Sequence, residues 1–199
     1  MNNVAEEQRT VLFDLEGVLT NYDEAMRRSL REISSPAEPA PASLYWHFKN
    51  TGCVNERIKL FREYPGWWKK LQQNSSGFEV LDACLELGFP VSVIVRKNYG
   101  CPDEDLDKRV WYDTNVVPVL PGSELITVDA KCDVPGIALV TGSRNTLNAW
   151  LSKHPDGLGI LMPTSTNGGY QHSQAIRYDY DNLEKIKEQL RAVSERCLN

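Results

Sequence analysis

The sequence predicts an α/β protein: a doubly wound parallel sheet, Rossmann-like and three-layered, with a small helical cap inserted after the first strand. Three observations carry this. Short apolar runs alternate with longer helical patterns from Ser75 onward, the signature of strands joined by helical crossovers. An isolated apolar run, Val11–Leu15, holds one acid and is followed by Gly17, as a buried strand does when it ends in a turn. Between that run and Ser75 the chain changes character, first proline-rich and then aromatic-rich. A length of 199 residues suits one domain with a sheet of about five strands.

The elements follow in order. Tyr22–Ile33 has helical spacing through Met26, Leu30 and Ile33, with Asp23 as its cap. Residues 34–43 contain three prolines and form an extended loop. Leu44–Tyr64 is aromatic-rich and helical in pieces. A helix at Gly77–Leu87 precedes a strand at Val91–Val95, and a helix at Asp103–Thr114 precedes a strand at Leu125–Val128. Strand Ile137–Thr141 leads into helix Arg144–Lys153 and strand Gly159–Met162. Thr164–Ser173 reads as a polar loop. A charged helix over Asp181–Glu195 turns Leu183, Ile186 and Leu190 inward. The division is 1–20 and 75–199 for the core and 21–74 for the cap. Ligands of such sheets sit at the carboxyl ends of the strands, so Asp14, Val95 and Thr141 are rim residues.

Composition narrows the function. The net charge of −5 argues against non-specific binding to nucleic acid or to an anionic membrane, because both attract basic surfaces. No apolar run approaches the roughly 20 residues that span a bilayer. The start, MNNVAEEQRT, lacks the hydrophobic stretch of an export signal. Five scattered cysteines without a CxxC pair fit reduced thiols, and three dispersed histidines make no zinc pattern. The expectation is a cytoplasmic protein.

The segment Phe13-Asp14-Leu15-Glu16-Gly17-Val18-Leu19-Thr20 resembles the first motif of the haloacid dehalogenase (HAD) superfamily, a hydrophobic strand followed by Asp-x-Asp-Gly-Val-Leu. The resemblance implies that Asp14 attacks a phosphoryl group. It implies that the second carboxylate, here Glu16, protonates the leaving oxygen and then activates water. Further pieces look similar to the 5′(3′)-deoxyribonucleotidases: Pro65-Gly66-Trp67-Trp68, Lys97-Asn98-Tyr99 with Lys108 and Trp111, and Ile160-Leu161-Met162 with its Tyr/Asp-rich tail and closing helix. The implied ligand is a small phosphorylated molecule such as a nucleoside monophosphate, and the implied cofactor is Mg²⁺.

The motifs also depart from the family pattern. Glu16 carries its carboxyl one methylene beyond an aspartate, and a misplaced general acid loses much of a roughly 100- to 10,000-fold contribution. The second motif calls for Ser or Thr at a strand tip, but the strand ends Val93-Ile94-Val95-Arg96. Arg96 or Lys97 is a substitute anion ligand, against the plainer reading of solvated charge at a strand end. Lys131 falls where the third-motif lysine neutralises phosphate and keeps Asp14 charged, with an ordinary exposed lysine as the alternative and Lys108 as the rival candidate. The fourth motif calls for acids after strand Ile137–Val140, and the chain reads Thr141-Gly142-Ser143. Asp14 and Glu16 are doubtful Mg²⁺ ligands without those acids, because this ion favours oxygen ligands, preferably carboxylates. Asp129 and Asp133 precede that strand and would need a different alignment to replace them.

The aromatic stretch, Tyr45 to Trp68, offers Trp46, Trp67 and Trp68 as faces for stacking on a base, and Thr141 as a hydroxyl at the rim. A small cap also needs large side chains to build any core, and exposed aromatics serve equally at an interface with another protein. The sequence thus points to a HAD-like protein with weak or lost phosphatase activity that keeps a nucleotide, phosphate or protein-binding role. The alternative is an active Mg²⁺-dependent 5′-nucleotidase with Asp14 as its nucleophile.

Overall fold

A computed structural model gives the fold, and it describes residues 9–35, 52–165 and 167–197. Six parallel strands form one sheet: β1 Val11–Asp14, β2 Val91–Arg96, β3 Leu125–Val128, β4 Ala138–Thr141, β5 Leu158–Leu161 and β6 Ala175–Arg177. Their order is β3-β2-β1-β4-β5-β6. All four residues of β1 and of β4 are buried, because helices cover both faces of the sheet.

The helices are α1 Tyr22–Glu32, α2 Gly52–Glu63, α3 Ser75–Glu86, α4 Pro102–Asn115, α5 Arg144–Lys153 and α6 Leu183–Cys197. Val11, Phe13, Val93 and Val140 pack on one face with Val80 and Leu81 of α3, Trp111 and Tyr112 of α4, and Ile186 and Leu190 of α6. Leu12, Ile94, Leu139 and Leu161 pack on the other with Leu147, Trp150 and Leu151 of α5. This is the three-layered, doubly wound architecture expected from the alternating pattern.

Local chemistry sets the helix starts. Pro102 opens α4, and Asp103, Glu104 and Asp105 in its first turn complement the positive end of the helix. Ser143 caps α5 by accepting the Thr146 N–H at 3.2 Å. At α1, however, Asn21 rather than Asp23 holds the cap position, with no side-chain capping bond, and Asp23 lies in the first turn.

The sheet has one strand more than expected. β6 is three residues long and half-buried, and it pairs only with β5 at the sheet edge, so neither length nor hydrophobicity marks it in the sequence. The polar loop before it is organised by Asn167, which is fully buried. Its side-chain amide donates to Met162 O at 2.7 Å and to Gly142 O at 3.0 Å, and its carbonyl accepts the Thr164 N–H at 3.0 Å. Asn167 thereby ties the loop after β4 to the loop after β5.

The segment between β1 and α3 leaves and returns at neighbouring points. Thr20 and Gln73 form an antiparallel bridge, flanked by Asn21 N–H to Gln72 O and Asn74 N–H to Leu19 O, each 2.8 Å. Within the segment, Met26 and Leu30 of α1 pack with Ile58 and Phe61 of α2.

Candidate active site

The strand order reverses between β1 and β4, which places the ligand crevice at their carboxyl ends. Asp14 closes β1 and Thr141 closes β4 there, with Phe13 in register with Val140. Beyond Asp14 the chain makes a wide turn over Leu15–Leu19, with Gly17 at φ +72°. Thr20 fixes this turn: its N–H reaches Leu15 O at 3.0 Å, its hydroxyl donates to the same oxygen at 3.1 Å, and it accepts the Gly17 N–H at 3.3 Å. α3 packs so closely on the turn that a Cβ on Gly77 would lie 1.9 Å from Val18 O.

The Asp14 carboxylate is 3% exposed and engaged at both oxygens. Lys131 Nζ lies 2.5 Å from Oδ1, and the Thr141 hydroxyl donates to Oδ2 at 3.1 Å. Lys131 sits in the short helical turn Lys131–Asp133 after β3. Burial pushes the Asp14 carboxyl above its usual range, against the pull of Lys131. Lys131 is itself raised: burial lowers it, but Asp14 and Glu16 outweigh that.

Glu16 points to α4. Its Oε1 lies 2.5 Å from Lys108 Nζ and 3.9 Å from Arg62 of α2. Burial pushes its carboxyl upward, but Lys131, Lys108 and Arg62 together overcome this and hold it at about 2. Lys108 also meets Glu104 Oε1 at 2.6 Å and stands 4.4 Å from the centre of the Trp68 ring. Glu104, with its side chain wholly buried, further accepts Arg62 at 2.8 Å and the Asn98 side-chain amide at 2.6 Å. Three carboxylates and three cations thus form one connected cluster at the carboxyl end of β1.

The structure brings together Asp14, Glu16, Lys131 and Thr141, and it also uses the rival Lys108. It does not bring Arg96 or Lys97 to them: both are exposed, and the Lys97 ammonium lies 4.6 Å from the Tyr99 ring. Trp68 is 1% exposed, with Tyr22 stacked on it at 5.3 Å, Lys108 over the ring and its indole N–H given to Arg62 O. No face of it is left for a base. Trp67 is half-buried, edge-on to Tyr22 and bonded to Ser29 through its indole N–H. Trp46 lies outside the described residues, as do Tyr45, His47 and Phe48.

Arg62, Glu104 and Asn167 escaped the sequence reading. Glu104 and Lys108 are four apart on a helix, a spacing that signals an ion pair. Nothing local marks Arg62, which arrives from a separate helix, or Asn167, whose closest partners are backbone groups of two loops. A cavity of about 380 Å³ opens beside the same turn, lined by Gly17, Thr20, Asn21, Ser76, Thr164 and Tyr180 among others; Asp14 and Glu16 are not among its walls.

The Mg²⁺ implied by the HAD resemblance finds a poor donor set. The Asp14 oxygens are held by Lys131 and Thr141, and Glu16 is held by Lys108. Gly142 and Ser143 supply no carboxylate after β4. Asp129 accepts the Tyr99 hydroxyl, and Asp133 pairs with Lys153. Among the described residues, no three His, Cys, Asp or Glu side chains converge as metal ligands. The residues present do not fit a resident Mg²⁺.

No protein-family profile and no curated protein matches the chain. Solved structures do. A hydrolase from Pseudomonas syringae is similar with a TM-score of 0.52 and 15% identity, over 91% of this chain and 99% of that one. A haloacid dehalogenase-like hydrolase from Burkholderia xenovorans LB400 gives 0.49 and 11%, over 92% and 98%. A HAD family hydrolase from Deinococcus radiodurans R1, solved with phosphate and sodium bound, gives 0.46 and 14%, over 96% and 97%. Six parallel strands with helices on both faces are the fold shared with the Pseudomonas syringae hydrolase, and at this identity the likeness is one of fold alone.

Proposed function

We propose that this chain is a HAD-like protein of phosphatase descent that binds a small phosphorylated ligand, such as a nucleoside monophosphate, and turns it over weakly or not at all. The observation that carries this reading is the ion pair of Glu16 with Lys108 at 2.5 Å. Protonating Glu16 so that it could serve a leaving oxygen would break this ion pair, and its neighbouring cations hold the carboxyl well below its ordinary value. The attacking position fares little better. Among the described residues no set of carboxylates stands beside Asp14 to hold a shielding cation against an incoming phosphate dianion, and like charges repel strongly in a buried crevice. Lys131 and the part-exposed Arg62 still place cationic donors at the crevice, which supports a retained affinity for anions.

Kinship with the 5′(3′)-deoxyribonucleotidases rests on the shared Pro-Gly-Trp-Trp and Lys-Asn-Tyr segments. The returning segment docks on α4 through the first of these: the Gly66 N–H goes to Asp107 at 2.5 Å, and nearby the Trp111 indole N–H of α4 goes to Leu71 O at 2.7 Å. We read residues 21–74 as the cap of that lineage and the protein as cytoplasmic. No helix among the described residues is long and apolar enough to cross a membrane.

The test is an assay of the purified chain with Mg²⁺ on p-nitrophenyl phosphate and a panel of deoxynucleoside monophosphates, beside Asp14→Asn. The expected result is negligible turnover in both proteins and thermal stabilisation of the wild type by a nucleotide. Brisk turnover abolished by Asp14→Asn would establish the active phosphatase instead. Neither turnover nor stabilisation would point to a protein-interaction role.

A further inference from the structure

We infer that Lys108 is a built-in counter-cation: its ammonium fills a cation position between Glu16 and Glu104, so that the crevice neither holds nor needs a divalent metal. Three features carry this beyond the misfit of Mg²⁺ at Asp14. First, two carboxylate oxygens from separate elements face one point, and Lys108 Nζ occupies it, 2.5 Å from Glu16 Oε1 and 2.6 Å from Glu104 Oε1. An ammonium is a compact point charge with three donors, and the third side here is the Trp68 ring at 4.4 Å. Second, the group is built in. Lys108 is 1% exposed and the Glu104 side chain fully buried, so neither is a surface charge that drifted into contact.

Third, the charges of the cluster already balance. Asp14, Glu16 and Glu104 are matched one to one by Lys131, Lys108 and Arg62, at 2.5, 2.5 and 2.8 Å. A divalent ion entering this balanced group would have to expel the buried ammonium or leave excess positive charge in a low-dielectric crevice. Glu16 matters here through its length, since the added methylene carries its carboxylate from the turn after β1 to α4. Removing the ammonium but keeping both glutamates would open the position to a metal.

The experiment titrates Mn²⁺ into the full chain and reads the free ion by electron paramagnetic resonance, with melting temperature as a second readout. Wild type and Lys108→Arg are expected to leave the Mn²⁺ signal unattenuated at millimolar ion and to melt at an unchanged temperature. Lys108→Ala is expected to attenuate the signal stoichiometrically and to be stabilised by the ion. Stoichiometric uptake by the wild type that Glu16→Gln abolishes overturns the inference, and so does a folded Lys108→Ala that ignores Mn²⁺. If Lys108→Ala does not fold, the wild type titrated beside Glu16→Gln decides: uptake that the variant lacks overturns the inference, and no uptake by the wild type supports it. Turnover has no part in the readout. A brisk phosphatase that takes up no Mn²⁺ defeats the proposed function and spares this inference, and Mn²⁺ uptake without turnover does the reverse.

Discussion

Lys108 and Glu16 stand 92 positions apart in the chain and 2.5 Å apart in space. Their pair joins the turn after β1 to the middle of α4, and through Glu104 it recruits Arg62 from α2. The predictions begin with that pair.

Replacing Lys108 with methionine keeps most of the side-chain volume and removes the charge. Glu104 then keeps Arg62 and the neutral Asn98 amide but loses its closest cation, and so does Glu16. Unpairing a buried charge costs about 3–5 kcal/mol. Urea denaturation should show a loss of that order for Lys108→Met, and a much smaller one for Lys108→Arg.

Acid should weaken the fold through Glu16. Its carboxyl has an ordinary value of 4.5 and is held at about 2 in the folded chain. A depressed carboxyl stabilises the folded state above its unfolded value, and that contribution disappears as pH falls towards the folded value. The amount is on the order of 3 kcal/mol. Denaturation midpoints should drop between pH 4.5 and about 2, and Glu16→Gln should flatten that part of the curve. Asp14 acts with the opposite sign: its carboxyl is raised, so its contribution declines as pH rises through that raised value.

Asn167→Ala removes the tie between the loops after β4 and β5. It strands the carbonyls of Met162 and Gly142 and the Thr164 N–H without their side-chain partner. Each unsatisfied buried group costs about 1–3 kcal/mol, so a total loss of roughly 3 kcal/mol is expected. Amide hydrogen exchange should rise at Gly142 and Ser143, next to Thr141. Unchanged protection there would show that Thr141 is held by other means.

Gly77→Ala should be among the most damaging small substitutions in the chain. Its Cβ would fall 1.9 Å from a backbone oxygen, which has no rotamer by which to retreat. Either α3 moves away from the Val18 turn or the turn deforms, at about 3 kcal/mol for overpacking. A thermal melt of the variant checks this, and wild-type stability would disprove the close approach.

Much of this architecture is legible in the chain. The apolar run ending at Asp14 announces a buried strand with an acid at its rim, and the later runs place β2 to β5 within a residue or so. Lys131 is suggested by the family resemblance alone, which left an ordinary exposed lysine open; the structure places its ammonium 2.5 Å from Asp14. β6 is unreadable since an edge strand of three half-buried residues has no apolar period to display. Trp68 shows why composition alone misleads: the sequence marks it as a large aromatic face, and only packing reveals that Tyr22 and Lys108 already cover it. Arg62 is invisible for a similar reason, since its meaning depends on which helix α2 leans against.

The bridge between Thr20 and Gln73 has a wider consequence. A stretch of chain that departs and rejoins at one doorstep is topologically a side loop, so its length and content can vary without re-threading the strands beneath. A descendant could trade this whole excursion for another, and with it the reach of Arg62, while inheriting Asp14, Lys131 and Thr141 intact. The excursion and the sheet beneath it are therefore separately heritable.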